Sequence, residues 1–303
     1  MKGNFYDMAF LGHYTKDTIK SKGGVRHVDG GAINYGAHLA VRLGLKVAVI
    51  TKLAAEDKHV VEQLEEAGID VYVTYTPLST TLVLEYPSNN LDHRIIHFKS
   101  SADPFTIDEV KDINAKAFVI GPSIRGEVPL EVIKKIREKD VLISLDVQGY
   151  VRVVNEDNVL VNKKWPDMEK YLSLIDVLKT DVVEARELTG EDNIRKAARI
   201  LAKFGPKEVV LTHSEGILVY DGQNYYESSF CPERLVGRSG RGDTVIATYM
   251  AKRLEASPRE AIDWAAAAAS LKMEAEGPFR RSKEEIIELL ERKYRKERRV
   301  IKE

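Results

Sequence analysis

From residue 106 to residue 212 the chain alternates strand-like and helix-like runs without a break. Strands read at 117–121, 141–146, 176–179 and 207–212, and helices at 129–139, 165–175, 181–188 and 193–204. Thr106 and Glu109 have the spacing of a capping box, and Gly190 sits where a helix would stop. Few folds accept this rhythm. Apolar strands separated by amphipathic helices bury both faces of a parallel sheet. The predicted fold class is therefore α/β, a doubly wound, mostly parallel sheet. Ligands of such sheets gather beyond the carboxyl ends of the strands. Asp146, Gln148, Lys179, Asp181, Glu184, Thr212 and Ser214 all fall at such ends.

The N-terminal third departs from this rhythm. A strand reads at 5–13, and two short strands at 16–28 turn at Gly23-Gly24. Gly30-Gly31 opens a helix that Gly44 closes, and a strand follows at 46–52. Asp57 is read as the cap of a helix reaching Gly68, followed by a strand at 69–76. Two strands, 80–86 and 93–99, then follow with only Pro87-Ser-Asn-Asn-Leu91 between them, a hairpin signal. Tandem strands without a helix predict a small separate sheet, built from about 15–30 and 73–99 and inserted in one domain spanning 1–303. His93 and His97 share a side of their strand. Two histidines without a third ligand read as ordinary strand residues rather than a metal site.

One loop carries chemistry. Gly237-Arg-Ser-Gly-Arg-Gly-Asp-Thr244 places three glycines within six residues, ahead of a helical run with Val245, Thr248, Tyr249 and Leu254. Residues 240–242 thus lie at a helix N-terminus, where orphan N–H groups and the helix dipole favour an anion. An ionised Asp243 beside such a cradle suits a base that takes a proton from a hydroxyl while the cradle holds a phosphoryl group. The glycine spacing fits a P-loop, but Asp243 stands where the lysine belongs and reverses the charge. Val245 stands where a dinucleotide fingerprint needs Gly or Ala. Arg241-Gly242-Asp243 also spells an adhesion tripeptide, and nothing else in the chain has an extracellular character. Taken alone, the loop reads first as a glycine-rich turn with Asp243 as a helix cap.

The loop resembles the C-terminal signature of the ribokinase-like (PfkB) carbohydrate kinases, usually Gly-Ala-Gly-Asp, with Arg241 here in place of Ala. The resemblance extends over nearly the whole chain. Within the family, residues 240–243, Ser101-Ala-Asp-Pro-Phe-Thr106 and Asp146-Val-Gln-Gly-Tyr-Val-Arg152 are most similar to the myo-inositol kinase branch of archaea and thermophilic bacteria. The resemblance implies an ATP-dependent kinase of a small polyol, most similar to a myo-inositol kinase, with Mg²⁺ as cofactor. It implies Asp243 as base, with Gly240, Arg241 and Gly242 holding the γ-phosphoryl group. Asp17, Gly30, Gly31, Asn34, Asp103, Gln148 and Arg152 would bind substrate; residues 30–34 resemble the family's Gly-Gly-x-x-x-Asn signature. Asp181-Val-Val-Glu184 resembles the family's Asn-x-x-Glu metal motif and keeps the oxygen ligands Mg²⁺ prefers. Lys179, Thr212, Ser214 and Gly216 would meet the nucleotide, with Ser214 where glycine is usual. The small sheet would be the family's lid, which covers the sugar and often pairs with a second subunit's lid, implying a homodimer. Local readings stay open beside these: Asp17 as a turn residue, acids 181 and 184 as an ordinary helix start, and alanines 265–269 as either an adenine border or a close helix contact.

Composition bounds the partners. With 46 basic and 47 acidic residues the net charge is −1, so no broad basic face for nucleic acid is expected. The charge run at 292–302 reads as a solvated face. One cysteine, Cys231, rules out an intramolecular disulfide and fits a reducing cytoplasm. Asp7 interrupts the short N-terminal apolar run, and no run is long enough to span a bilayer, so a cytoplasmic protein without membrane contact is expected. Two rivals remain: a sugar or nucleoside kinase of the same family, and a non-catalytic ligand sensor on the same fold.

Overall fold

The computed structural model describes residues 4–88 and 94–294. His93 and most of the 292–302 charge run lie outside the described residues. In chain order the elements are β1 (Phe5–Leu11), β2 (Thr15–Ser21), β3 (Gly24–Gly30), α1 (Ala32–Arg42), β4 (Val47–Ala54), α2 (His59–Glu66), β5 (Asp70–Thr76), β6 (Thr80–Glu85) and β7 (Ile95–Ser100). There follow β8 (Asn114–Ile120), α3 (Leu130–Arg137), β9 (Leu142–Asp146), α4 (Gln148–Val151), β10 (Arg152–Val154), β11 (Leu160–Asn162), α5 (Met168–Leu172), β12 (Val177–Asp181), α6 (Val182–Thr189) and α7 (Ile194–Ala202). The chain closes with β13 (Glu208–Thr212), β14 (Gly216–Tyr220), β15 (Tyr225–Ser229), α8 (Arg241–Arg253), α9 (Pro258–Met273) and α10 (Lys283–Leu289).

Nine strands form one sheet in the order β15-β14-β13-β12-β9-β8-β1-β4-β5. Pairing is parallel from β13 to β5, and β14 and β15 add an antiparallel edge. Alternate side chains enter two different cores. Met8 and Phe10 of β1 pack with Leu39 of α1, Tyr249 of α8 and Ala266 of α9. Ala9 and Leu11 pack with Ile133 of α3, Leu172 of α5 and Leu201 of α7 on the opposite face. This is the doubly wound sheet that the strand–helix rhythm predicts. Alanines 265–269 are fully buried and let α9 lie close along α8.

The strand order reverses between β1, which leads outward to β4, and β8, which leads to β9. Just past those strands a Cβ on Gly12 would lie 2.6 Å from the Gly121 carbonyl oxygen, so the two backbones meet at glycines. Such a reversal leaves a crevice beyond the strand ends.

A second sheet, β3-β2-β6-β7, stands over that crevice around its own small core of Ile19, Leu82, Leu84 and Ile96. Within it β2 pairs β3 and β6 pairs β7 antiparallel, while β2 and β6 are parallel. Residues 73–76, grouped with this sheet from the sequence, belong to the main one. Strand β5 pairs with β4 to its last residue, Thr76 opposite Ala54. A strand that returns through a helix extends the parallel sheet, and the break comes only at the turn before Thr80.

Two local expectations are corrected as well. Asp57 caps no helix: it is buried, and its carboxylate accepts from Lys16 Nζ at 2.8 Å and from the Ser79 hydroxyl at 2.5 Å, joining the base of the second sheet to the main one. The helix expected at 165–175 shortens to α5, because Trp165 is drawn into a stack on Tyr150 at 4.2 Å between centroids. Among the described residues no helix is long and apolar enough to cross a membrane.

Candidate active site

A cleft of about 150 Å³ lies between the second sheet and the carboxyl ends of the main strands. Its floor is the glycine loop. Gly240 is left-handed at φ 76°, a conformation that suits glycine, and a Cβ there would overlap the ring of Tyr35. The first intrahelical bond of α8 runs from Thr244 N–H to the Gly240 carbonyl at 2.9 Å. The amides of Gly242 and Asp243 lie ahead of it, as orphan donors at the positive end of the helix. The Arg241 amide does not join them, because it donates to the Arg238 carbonyl at 3.1 Å. The expected cradle of residues 240–242 is revised accordingly. Arg241 brings its side chain instead, lining the cleft with its guanidinium 5.4 Å from the Phe230 ring centroid.

Asp243 is the third residue of α8 and faces the cleft. Burial pushes its carboxyl up to about 6; Asp146 adds to this, and Lys179, Arg152 and Arg94 oppose it. A carboxylate near that value is ionised at neutral pH and basic enough to accept a hydroxyl proton in a transition state.

Asp17, on β2, lines the same cleft. Burial raises it to about 6 as well, against a hydrogen bond from Thr15 and the charges of Arg94 and Arg152, with Asp243 adding repulsion. Its Oδ1 is buried and has no hydrogen-bond partner among the described residues. Its Oδ2 lies so close to Gly30 that a Cβ there would overlap it. A buried carboxylate oxygen with nothing to accept is suited to a ligand hydroxyl.

Lys179, in the middle of β12, is 5% exposed, and its Nζ lies 2.9 Å from Asp146 Oδ2. Burial works against its charge, yet Asp146, Glu184, Asp181 and Asp243 together hold the ammonium well above the ordinary lysine value. The result is a permanent cation beside the loop: a Cβ on Gly242 would come within 2.9 Å of it.

A buried carboxylate able to accept a proton, a loop of orphan amides and a fixed cation at a sheet reversal are parts that a phosphoryl-transfer site uses. The family model for pfkB carbohydrate kinases matches residues 6–284. The chain belongs to the pfkB family. Among solved structures, a pyrophosphate-dependent kinase in the ribokinase family, complexed with a pyrophosphate analog and myo-inositol, is 36% identical, covering 93% of this chain and 99% of its own, with a TM-score of 0.85. A sulfate complex of a pyrophosphate-dependent kinase in that family is 37% identical over 93% of this chain and 99% of its own, with a TM-score of 0.86. A cytidine kinase from Thermococcus kodakarensis is 26% identical over 262 residues, 84% of this chain and 91% of the relative. Arabidopsis thaliana ribokinase complexed with ribose and ATP, at 21% identity and a TM-score of 0.75 over 95% of this chain and 99% of its own, shares the fold.

The remaining expected site residues of this pfkB kinase divide into two groups. Gly31, Gln148, Arg152, Asp181 and Thr212 line the cleft. Gly31 sits at φ 93°, where a Cβ would meet the His13 carbonyl at 2.5 Å. Asn34 does not line it: buried, it donates its amide to the Asp29 carbonyl at 2.8 Å, and the next residue, Tyr35, takes the lining position. Asp103 turns its side chain outward, while its carbonyl meets His13 Nε2 at 3.0 Å. Ser214 is exposed, and Gly216 is needed elsewhere, since a Cβ there would overlap the Ser228 carbonyl of the neighbouring strand. His97 Nε2 lies 3.0 Å from Glu85 Oε2.

Asp181 and Glu184 form a reciprocal capping box: Asp181 Oδ1 accepts the Glu184 N–H at 2.8 Å, and Glu184 Oε2 accepts the Asp181 N–H at 2.9 Å. The helix-start reading therefore accounts for both acids locally. It leaves Asp181 lining the cleft and Glu184 buried behind it. Burial raises Glu184 to about 7, with Asp181 and Asp146 adding repulsion and Lys179 and Arg152 opposing. Among the described residues no cluster of three or more His, Cys, Asp or Glu makes a metal cage. Mg²⁺ needs none, since it is held by one or two carboxylates and the phosphates of its ligand. The Asp181 carboxylate on the cleft wall, with Glu184 buried directly behind it, fits that demand.

Among the lining residues that no motif announced are Arg94 beside β7 and Tyr35, one residue past the expected Asn34; Arg238 lies within the glycine loop but had no expected role.

Proposed function

We propose that this kinase transfers a phosphoryl group from inorganic pyrophosphate to a hydroxyl of myo-inositol. One observation carries the reading: Asp17, with a buried oxygen lacking a partner among the described residues, and Asp243, at the head of the anion loop, line one cleft. Asp17 accepts from one ring hydroxyl, and Gln148, Arg152 and Arg94 supply donors for others. Leu82, Leu84 and Ile96 offer an aliphatic wall to the C–H face of the ring. Asp243 takes the proton of the reacting hydroxyl as it attacks phosphorus. The amides of Gly242 and Asp243, with Lys179, hold the oxygens of the group in transfer. Asp181 and Glu184 would hold Mg²⁺, which when bound neutralises the donor phosphates. Structures 36% identical to this chain, one complexed with myo-inositol and one of a myo-inositol-1 kinase converted into a myo-inositol-3 kinase, support the acceptor.

ATP is the donor that the family resemblance implies. Two features favour pyrophosphate instead. Ser214 and Gly216, expected to meet a nucleotide, are not among the residues lining the cleft. Lys179, Arg238 and Arg241 form a compact cationic rim suited to a short, highly charged donor. The structures that are 36–37% identical are of pyrophosphate-dependent kinases. Initial rates with saturating myo-inositol and either pyrophosphate or ATP, both with Mg²⁺, test the choice. Pyrophosphate should win by about tenfold or more in kcat/KM. A higher value for ATP reassigns the donor and leaves the acceptor standing.

A further inference from the structure

A second cavity, of about 200 Å³, lies on the far side of the anion loop. Tyr35, Arg238 and Ser239 line both spaces and so form the partition between them. Lys272, in the last turn of α9, opens on this second cavity and is 3% exposed. Lysines are almost never so buried unless paired. Among the described residues its ammonium makes one long bond, 3.4 Å to the Ala275 carbonyl, and it stands 5.4 Å from the Tyr35 ring centroid. The nearby Glu276 is engaged by Arg26. The same helix end fastens the loop: the N–H groups of Val236 and Gly237 donate to the Met273 carbonyl at 2.9 and 3.2 Å. The Tyr35 ring beside the ammonium is also the ring against which Gly240 packs.

We propose that Lys272 is a positioning residue for phosphoryl transfer, its buried ammonium supplying, from behind the Tyr35–Gly240 contact, the positive charge that holds donor phosphate at residues 240–243. This rests on the kinase reading above. Lys272 touches neither donor nor acceptor; it acts through the loop. The groups facing it are Asp243 from α8, Glu276 beyond α9, Arg26 of β3, Tyr35 of α1, Tyr86 after β6 and Arg238 of the loop. Burial lowers its ammonium to about 8, against the pull of Asp243 and Glu276 and with the push of Arg26. Tyr35 stays neutral, because burial raises its hydroxyl well above the ordinary tyrosine value. The charge that assists the loop is therefore lost as pH rises through about 8.

The test is the donor KM from about pH 6.5 to about 9.5, for wild type, Lys272→Met and Lys272→Arg, with a melting curve for each. The Met variant should raise donor KM about tenfold at neutral pH, and the ratio of variant to wild type should fall toward one as wild-type Lys272 loses its proton. Taking the ratio cancels the donor's own titration. The Arg variant, charged throughout, should lack the alkaline rise. A ratio that does not change with pH, or an Arg variant that rises as wild type does, means that Lys272 only anchors the helix end and overturns the inference. If the Met variant is too unstable to assay, wild type against Arg decides the same point. Absence of turnover with any donor contradicts the kinase reading itself and takes this inference with it.

Discussion

Lys179 and Asp146 form a buried ion pair, 2.9 Å from Nζ to Oδ2, on the two central strands that end beneath the anion loop. Breaking a buried pair on one side leaves an uncompensated charge, at about 3–5 kcal/mol. The pair therefore fixes where the ammonium points.

Gly242→Ala perturbs that geometry with little else. Position 242 is not left-handed, so alanine fits the backbone, but its methyl would come within 2.9 Å of Lys179 Nζ. The ammonium must move. Turnover should fall about tenfold or more while Tm stays within about 3 °C of wild type. An unchanged rate would show that Lys179 does not hold the transferring group. Gly240→Ala is the contrast: positive φ and overlap with Tyr35 should make it unstable by roughly 1–3 kcal/mol.

Asp243→Asn should trade activity for stability. Removing the proton acceptor should lower turnover by ~10²–10⁴. The folded carboxyl sits at about 6 against 3.8 ordinarily, so between those values the native state holds a proton that the unfolded chain releases. Stability then falls as pH rises through that window, and the full cost is present above it. Asparagine removes the charge, so Tm at neutral pH should rise by about 2 °C or more. A variant that is active, or less stable at neutral pH, would demote Asp243 to a helix cap.

The acid limb of the rate profile should be steep. Asp17 and Asp243 both sit near 6, burial raising each and the Asp243 charge adding to the rise of Asp17. If both must be ionised, log kcat/KM at saturating Mg²⁺ should fall below pH ~6 with a slope approaching two, and Asp17→Asn should reduce the slope toward one. A wild-type slope of one would remove one carboxylate from the chemistry.

The main sheet was legible because strand–helix spacing is a local property, and the loop at 237–244 because glycines and an acid before a helix have few uses. What failed was decided by contacts between distant segments. Residues 73–76 follow β4 into the main sheet through pairing that no composition encodes. Asp57 has the pattern of a cap, yet Lys16 and Ser79, far from it in sequence, claim its carboxylate. Asn34 and Tyr35 differ by one helical step, and only the packing of α1 decides which lines the cleft. The Arg241 amide could be assigned only once the Arg238 carbonyl was placed. Lys272 lies in an alanine-rich helix that reads as plain core.

The most direct test of the central claim is kcat/KM for myo-inositol, ribose, fructose and cytidine at one concentration of the preferred donor with Mg²⁺, with phosphorylated product identified by ³¹P resonance. A site that hydrogen-bonds several hydroxyls leaves buried partners unpaired when one is missing, so myo-inositol should lead by roughly 10² or more. A higher value for cytidine, ribose or fructose would contradict the account.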